Sequence, residues 1–437
     1  MLTPDLLLVN GMILPEPGHP ACIDPGFVAV RAGRIAAIGP MAELAEARGG
    51  QVLDARGGVV LPGLVNGHCH AAMTLFRGLA DDLPLLTWLN DHIFPAEARS
   101  VNAEMVYWCT RLAAAEMLLS GTTTVADGYF CMEAAAQAFS DAGMRAVAAQ
   151  GVIDFPAPGV PDPAGNIAAA ARFADGWLGR DPLITPAVFA HAPYTCSGQT
   201  LRAAKELARS RGVPLFIHVA ETRGEQALIR DPQGPSPVRH LDGLGILDEG
   251  TVCVHCVWVD DEDLELLARR GATIVICPQS HQKLASGTAP LGEMLVRGLK
   301  VGIGTDGAAS NNSLDLFREM DVCAKMQKVH SLDPVAVRAG RVLAMATGMG
   351  AKVLGLAGAC GVLRTGALAD LIVVDRQQPH LQPFHGPDLL VYSARGSDVR
   401  MVIVNGRLVV RDGKILTMDL AETMARVRRL AEPLTGP

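Results

Sequence analysis

The chain has 437 residues, nearly half of them apolar, with a formal net charge of −7. That length supports a large core in two or more domains, or one barrel with an attachment. There is no basic run of the kind that follows phosphates, which argues against a polyanion binder, and no uncharged apolar run is long enough for a bilayer.

The N-terminus, Met1-Leu2-Thr3-Pro4-Asp5, lacks a basic n-region, so a soluble cytoplasmic protein is expected. Residues 1–58 read as short strands joined by turns: Leu6 to Val9, Asn10-Gly11, Phe27 to Val30, Ala32-Gly33, Arg34 to Gly39. Asn-Gly and Ala-Gly between β-type runs are hairpin signals. The same texture returns after residue 365, in Ala369 to Asp375 and Val402 to Val410, before a C-terminal helix. The two ends (1–58 and 365–437) are therefore expected to pair into one small β-sandwich, the alternative being two separate β-caps.

Between them, residues 59–364 alternate strand-like and helix-like runs, the pattern of a parallel α/β domain. The strands are Gly58 to Gly63, Thr122 to Ala126, Ala146 to Ile153, Ile184 to Phe189, Leu215 to Val219, Thr251 to Val254, Ala272 to Ile276 and Lys300 to Gly304. A helix over Gln199 to Arg211 has Ser197 as N-cap and Gly212 as its stop. Eight strand-helix units predict a (β/α)8 TIM barrel, whose chemistry sits at the carboxyl ends of its strands. The ten cysteines are scattered through apolar segments, as in Val252-Cys253-Val254-His255-Cys256, and read as buried free thiols.

Polar residues stand at those strand ends: His68 and His70 after strand one, His191 after four, His218 and Glu221 after five, His255 after six, Asp306 after eight. His68 and His70, one residue apart on an extended chain, point to one face and can hold a metal. The expected ligands are His68, His70, His218 and Asp306 around one Zn²⁺ per subunit, with an open position for water; Fe²⁺ suits nearly the same set. Water in that position has its pKa lowered toward about 7. Glu221 can then move protons, and His255 can polarise the hydroxide. Each residue also has an ordinary reading: Glu221 as a helix-start carboxylate, His255 as a packed core ring, Asp306 as a turn former among glycines.

The set Pro62-Gly63-Leu64-Val65-Asn66-Gly67-His68-Cys69-His70, His191-Ala192-Pro193-Tyr194-Thr195, His218-Val219-Ala220-Glu221, Val254-His255-Cys256-Val257 and Gly304-Thr305-Asp306-Gly307-Ala308 resembles the amidohydrolase superfamily. Trp88-Leu89, Phe94-Pro95-Ala96-Glu97 and Lys283-Leu284-Ala285-Ser286-Gly287 narrow the resemblance to the 5-methylthioadenosine/S-adenosylhomocysteine deaminases. It implies hydrolytic deamination at C6 of an adenine nucleoside, with His191 against the purine and Glu97 accepting from the ribose hydroxyls. Asp306 and Glu221 would also face the substrate. Glu97 could equally be a solvated helix-start residue, while Trp88 and Phe76 are candidate walls for the 5′ substituent.

Two departures stand out. Gln150 and the Gly165-Asn166 region occupy places where some relatives carry arginines for an amino-acid end, which leaves recognition of that carboxylate open. Ser280-His281-Gln282-Lys283 replaces the Ser-Asn-Leu-Lys of the family, with an unknown effect of His281. Rival readings are a guanine, 8-oxoguanine or cytosine deaminase, an s-triazine hydrolase, or a scaffold without chemistry. A binuclear amide hydrolase would need a lysine that Ile184 to Tyr194 lacks, and a nucleic-acid deaminase would need H-x-E with P-C-x-x-C. The expected partner is a small nucleoside, with no nucleic acid and no membrane; a homo-oligomer is compatible.

Overall fold

The computed structural model describes residues 3–19, 21–44 and 50–434; the outermost residues of both terminal segments lie outside that range. Eight parallel strands form the barrel: β1 Leu64–Cys69, β2 Thr122–Tyr129, β3 Arg145–Val152, β4 Ile184–Ala190, β5 Leu215–Val219, β6 Thr251–His255, β7 Thr273–Ile276 and β8 Val301–Ile303. Every residue of β1, β2, β3 and β5 is buried, as strands covered on both faces require. The seam between β8 and β1 closes through the loop after β8. Thr305 N–H donates to Asn66 Oδ1 at 3.0 Å, and Asp306 N–H donates to the His68 carbonyl at 3.0 Å. Gly304 permits that approach, since a Cβ there would lie 2.7 Å from the His68 nitrogen.

The helices lie outside, between the strands. Gly198–Arg211 begins at Ser197, whose hydroxyl accepts from Thr200 N–H at 3.2 Å, and stops at Gly212 with φ +65°. The sequence signals for that helix hold to within one residue.

Both termini feed one nine-stranded mixed sheet. Its spine is Leu371–Val374 beside Val59–Pro62, beside Leu6–Ile13, beside Ile23–Arg31. Leu8, Val28, Val30, Leu53, Val60, Leu371 and Ile403 form a core separate from the barrel's. One expected strand moves: Val59–Pro62, placed by sequence in the first barrel strand, pairs antiparallel with Leu371–Val374 instead. The apolar run from Gly58 to Val65 carries no turn, so periodicity cannot show that it serves two sheets in succession. At Gly63 the chain passes from one to the other, where a Cβ would fall 2.1 Å from Thr123 Oγ1.

A buried ion pair ties the sheet to the barrel. Arg145, at the start of β3, forks onto Asp370 with Nε–Oδ2 at 2.7 Å and Nη2–Oδ1 at 3.2 Å. Asp370 is fully enclosed. Arg145→Ala should lower the unfolding free energy by about 3–5 kcal/mol, because it strands that carboxylate without its partner. Urea titration reads the loss, and Arg145→Met/Asp370→Asn should recover part of it.

Candidate active site

The strand ends converge. β1 carries His68 and leads into His70, β5 carries His218 and leads to Ala220 and Glu221, β6 ends on His255, and the loop after β8 supplies Asp306. His68 Nε2 lies 3.2 Å from His218 Nε2 and 3.6 Å from Asp306 Oδ1, and His70 Nε2 lies 3.5 Å from the same oxygen. Donor atoms of His68, His70 and Asp306 fall within 4.8 Å of one another, as do those of His68, His218 and His255. His68 is common to both groups. The four side chains expected as ligands are thus brought together, with His255 beside them.

The electrostatics suit a cation. Burial, aided by His68, brings the His70 pKa down to about 4, and burial also holds His218 and His255 well below the usual histidine range, so the rings offer lone pairs. The His70 Nδ1–H donates to the Gly128 carbonyl at 2.5 Å, which turns Nε2 toward Asp306. Burial opposes the charge on Asp306, but the His68 ring and its neighbours keep that carboxyl well below the ordinary range. Asp306 Oδ2 accepts from Ser280 Oγ at 2.7 Å and Oδ1 from Gly307 N–H at 2.8 Å. Neutral imidazoles around an oriented carboxylate are a donor set for a divalent metal, and the residues fit one.

Strain accompanies this convergence. Ala220 (φ 52°), His255 (φ 78°) and Asp306 (φ 61°) all sit in the left-handed region, a conformation held only where surrounding structure enforces it. At Ala220 the enforcing group is Glu225, whose carboxylate accepts from Ala220 N–H at 2.9 Å and Glu221 N–H at 2.8 Å. Glu221 is buried, and burial together with Asp306 and Glu225 raises its carboxyl well above the usual value. Its Oε2 lies 3.6 Å from His255 Nε2.

A cavity of about 630 Å³ opens over these groups, lined by His70, His218, Glu221, His255 and Asp306 at its floor. Glu97, His191 and Trp88 line it as well, with Leu85, Phe94, Phe130, Phe155 and Pro156 making an apolar wall. Tyr129 donates to Glu97 Oε1 at 2.6 Å, and burial lifts that carboxyl to about 7. The His191 Nδ1 faces Thr195 Oγ1 at 2.9 Å. Phe76 is not a wall: it is fully buried and is not among the residues that line the cavity. Gln150 is engaged with Met132 N–H and the Gly151 carbonyl, and Asn166 with the Ile153 carbonyl, and neither side chain lines the cavity.

Sequence reasoning passed over Tyr129, Glu225 and Asp127. Tyr129 and Asp127 stand at the end of β2, where the barrel rule for strand ends could have flagged them. Asp127 Oδ1 accepts from Ala71 N–H at 2.7 Å, next to His70. Glu225 lies four residues beyond Glu221 at the start of the short helix Glu225–Leu228, and no periodic signal marks it.

The model of the amidohydrolase family matches residues 59–409. A 5-methylthioadenosine/S-adenosylhomocysteine deaminase of Syntrophobacter fumaroxidans is 51% identical over 98% of both chains. A 5′-deoxyadenosine deaminase of Methanosarcina mazei is 43% identical over 99% of both. Among solved structures, an adenosine deaminase from Xanthomonas campestris with bound zinc superposes with a TM-score of 0.95 at 35% identity, covering 99% of each chain. Family match, full-length relatives and strand-end chemistry agree: the chain belongs to the amidohydrolase family and is a hydrolytic deaminase.

Proposed function

We propose that the chain deaminates C6 of adenine nucleosides bearing a small apolar 5′ substituent, such as 5′-methylthioadenosine, giving the inosine analogue and ammonia. One observation carries this reading: a single cavity joins His70, His218 and Asp306 of the donor set, the proton carrier Glu221 and, along its wall, the carboxylate Glu97. Zn²⁺ suits three imidazoles and one carboxylate from His68, His70, His218 and Asp306, and when bound it lowers the pKa of water toward about 7. The remaining work falls to the chain. His191 orients the purine, and His255 holds the oxygen of the attacking water. Glu221 takes the water proton and returns it to the leaving amino group, so that one C–O bond forms as the C6–N bond breaks and NH3 departs. Relatives named for 5-methylthioadenosine, S-adenosylhomocysteine and 5′-deoxyadenosine deamination support the ring chemistry. The ten free cysteines support a reducing, cytoplasmic setting.

The 5′ side of the substrate is read from the wall. Among the described residues, the cavity lining contains no arginine or lysine. An amino-acid tail would therefore leave its carboxylate unpaired against phenylalanines and prolines, which is costly. Measured by ammonia release, kcat/KM for 5′-methylthioadenosine and 5′-deoxyadenosine should exceed that for S-adenosylhomocysteine by about tenfold or more, a difference of about 1.4 kcal/mol. Equal values would remove the apolar-substituent reading, and release only from free guanine or cytosine would overturn the nucleoside assignment.

Glu97 gives a pH signature. Ionised, it accepts from two vicinal hydroxyls; protonated, it must donate at one of its oxygens. Its carboxyl carries a proton below about 7 and loses it above. Hence kcat/KM should rise as pH is raised through about 7, and Glu97→Gln should both lower kcat/KM and flatten that rise.

A further inference from the structure

His281 opens a question that the deaminase reading leaves unanswered. It follows β7 on the short helix Pro278–Lys283 and is buried, with its backbone N–H donating to the Cys277 carbonyl at 2.9 Å. Its Nε2 lies 3.1 Å from His255 Nδ1. Two ring nitrogens at that distance hold one proton between them, since two N–H groups would collide and two lone pairs would repel.

Which ring owns the proton follows from the far side of His281. Its Nδ1 is buried and has no hydrogen-bond partner among the described residues. Were the shared proton on His255, a neutral His281 would carry its own proton on Nδ1, as a buried N–H with no acceptor. With the proton on His281 Nε2, the Nδ1 is only an unused lone pair. Orphaned buried N–H groups are the rarer and costlier of the two.

We propose that His281 is a positioning residue: it donates Nε2–H to His255 Nδ1 and so fixes the His255 proton on Nε2, toward Glu221 and the reacting atoms. Two consequences follow. His255 becomes a hydrogen-bond donor to the attacking oxygen and not a metal ligand, which separates the two overlapping donor groups that share His68. The helix Pro278–Lys283 also acts twice, because Ser280 beside His281 donates to Asp306. This inference rests on the proposed deamination for its kinetic arm alone.

The test uses the full-length, zinc-loaded protein with 15N-labelled histidine rings. Long-range 15N–1H correlation should show His255 protonated at Nε2, with Nδ1 of pyridine type and hydrogen-bonded. His281→Phe keeps a ring but no donor. It should bring mixed His255 tautomers and lower kcat about tenfold or more, with metal content unchanged and KM shifted less than about threefold. His281→Gln, which retains a donor, should restore much of the loss. A His255 proton on Nδ1 in the wild type would overturn the proposal, as would wild-type kcat in His281→Phe. Should that variant not fold, the wild-type spectrum alone decides. Failure of the deaminase reading shows separately, as a wild-type enzyme that releases no ammonia from any adenine nucleoside while the tautomer stands.

Discussion

Glu221→Gln is expected to retain its metal and lose turnover by about 10²- to 10⁴-fold, the range for removal of a positioned general acid-base group. The substitution keeps shape and hydrogen-bonding capacity but cannot cycle a proton. Burial and the nearby carboxylates Asp306 and Glu225 hold the Glu221 carboxyl well above its ordinary range, which favours its proton-bearing form. Its backbone is fixed independently by the Glu225 carboxylate, so the loop geometry should survive the change. Loss of kcat with KM little altered is the expected pattern, measured by ammonia release beside a metal count. A Gln variant with near-normal kcat would take the proton-carrying role away from Glu221.

His218→Ala should lose metal and activity together. His218 lies at the centre of the cluster, 3.2 Å from His68 Nε2, and its ring is kept neutral by burial. Removing it deletes one of four donors and opens a void beside His191 and Phe189, whose rings lie 5.1 and 4.9 Å from it. Bound metal should fall below about half an equivalent and turnover to background, while excess Zn²⁺ should rescue little. If metal were retained at one equivalent, His218 would not be a ligand.

The barrel was legible because its strands are short apolar runs separated by helix-like stretches, five of them followed by a polar residue the core would otherwise exclude. Leu215–Val219 is reproduced to the residue, and His68, His218, His255 and Asp306 stood out in the sequence because a histidine or aspartate at the end of a buried strand has few structural uses. The entry into the barrel was not legible. Val59–Pro62 has the same apolar character as β1, and only its partners, Leu371–Val374, reveal that it belongs to the other sheet. Those partners lie more than 300 residues away in the chain, beyond the reach of local pattern. The supporting residues were hidden for a related reason. Glu225 acts on backbone N–H groups at a left-handed turn, and His281 acts through His255, so each has meaning only once the loops are in place.

X-ray absorption at the metal edge, on full-length protein purified without added chelator and counted for metal, tests the shared site most directly. The geometry predicts one zinc per chain with a nitrogen and oxygen shell at about 2.0–2.1 Å, imidazole scattering beyond it and no sulfur. Less than about half an equivalent of metal, or a sulfur shell at about 2.3 Å from the buried cysteines, would contradict it.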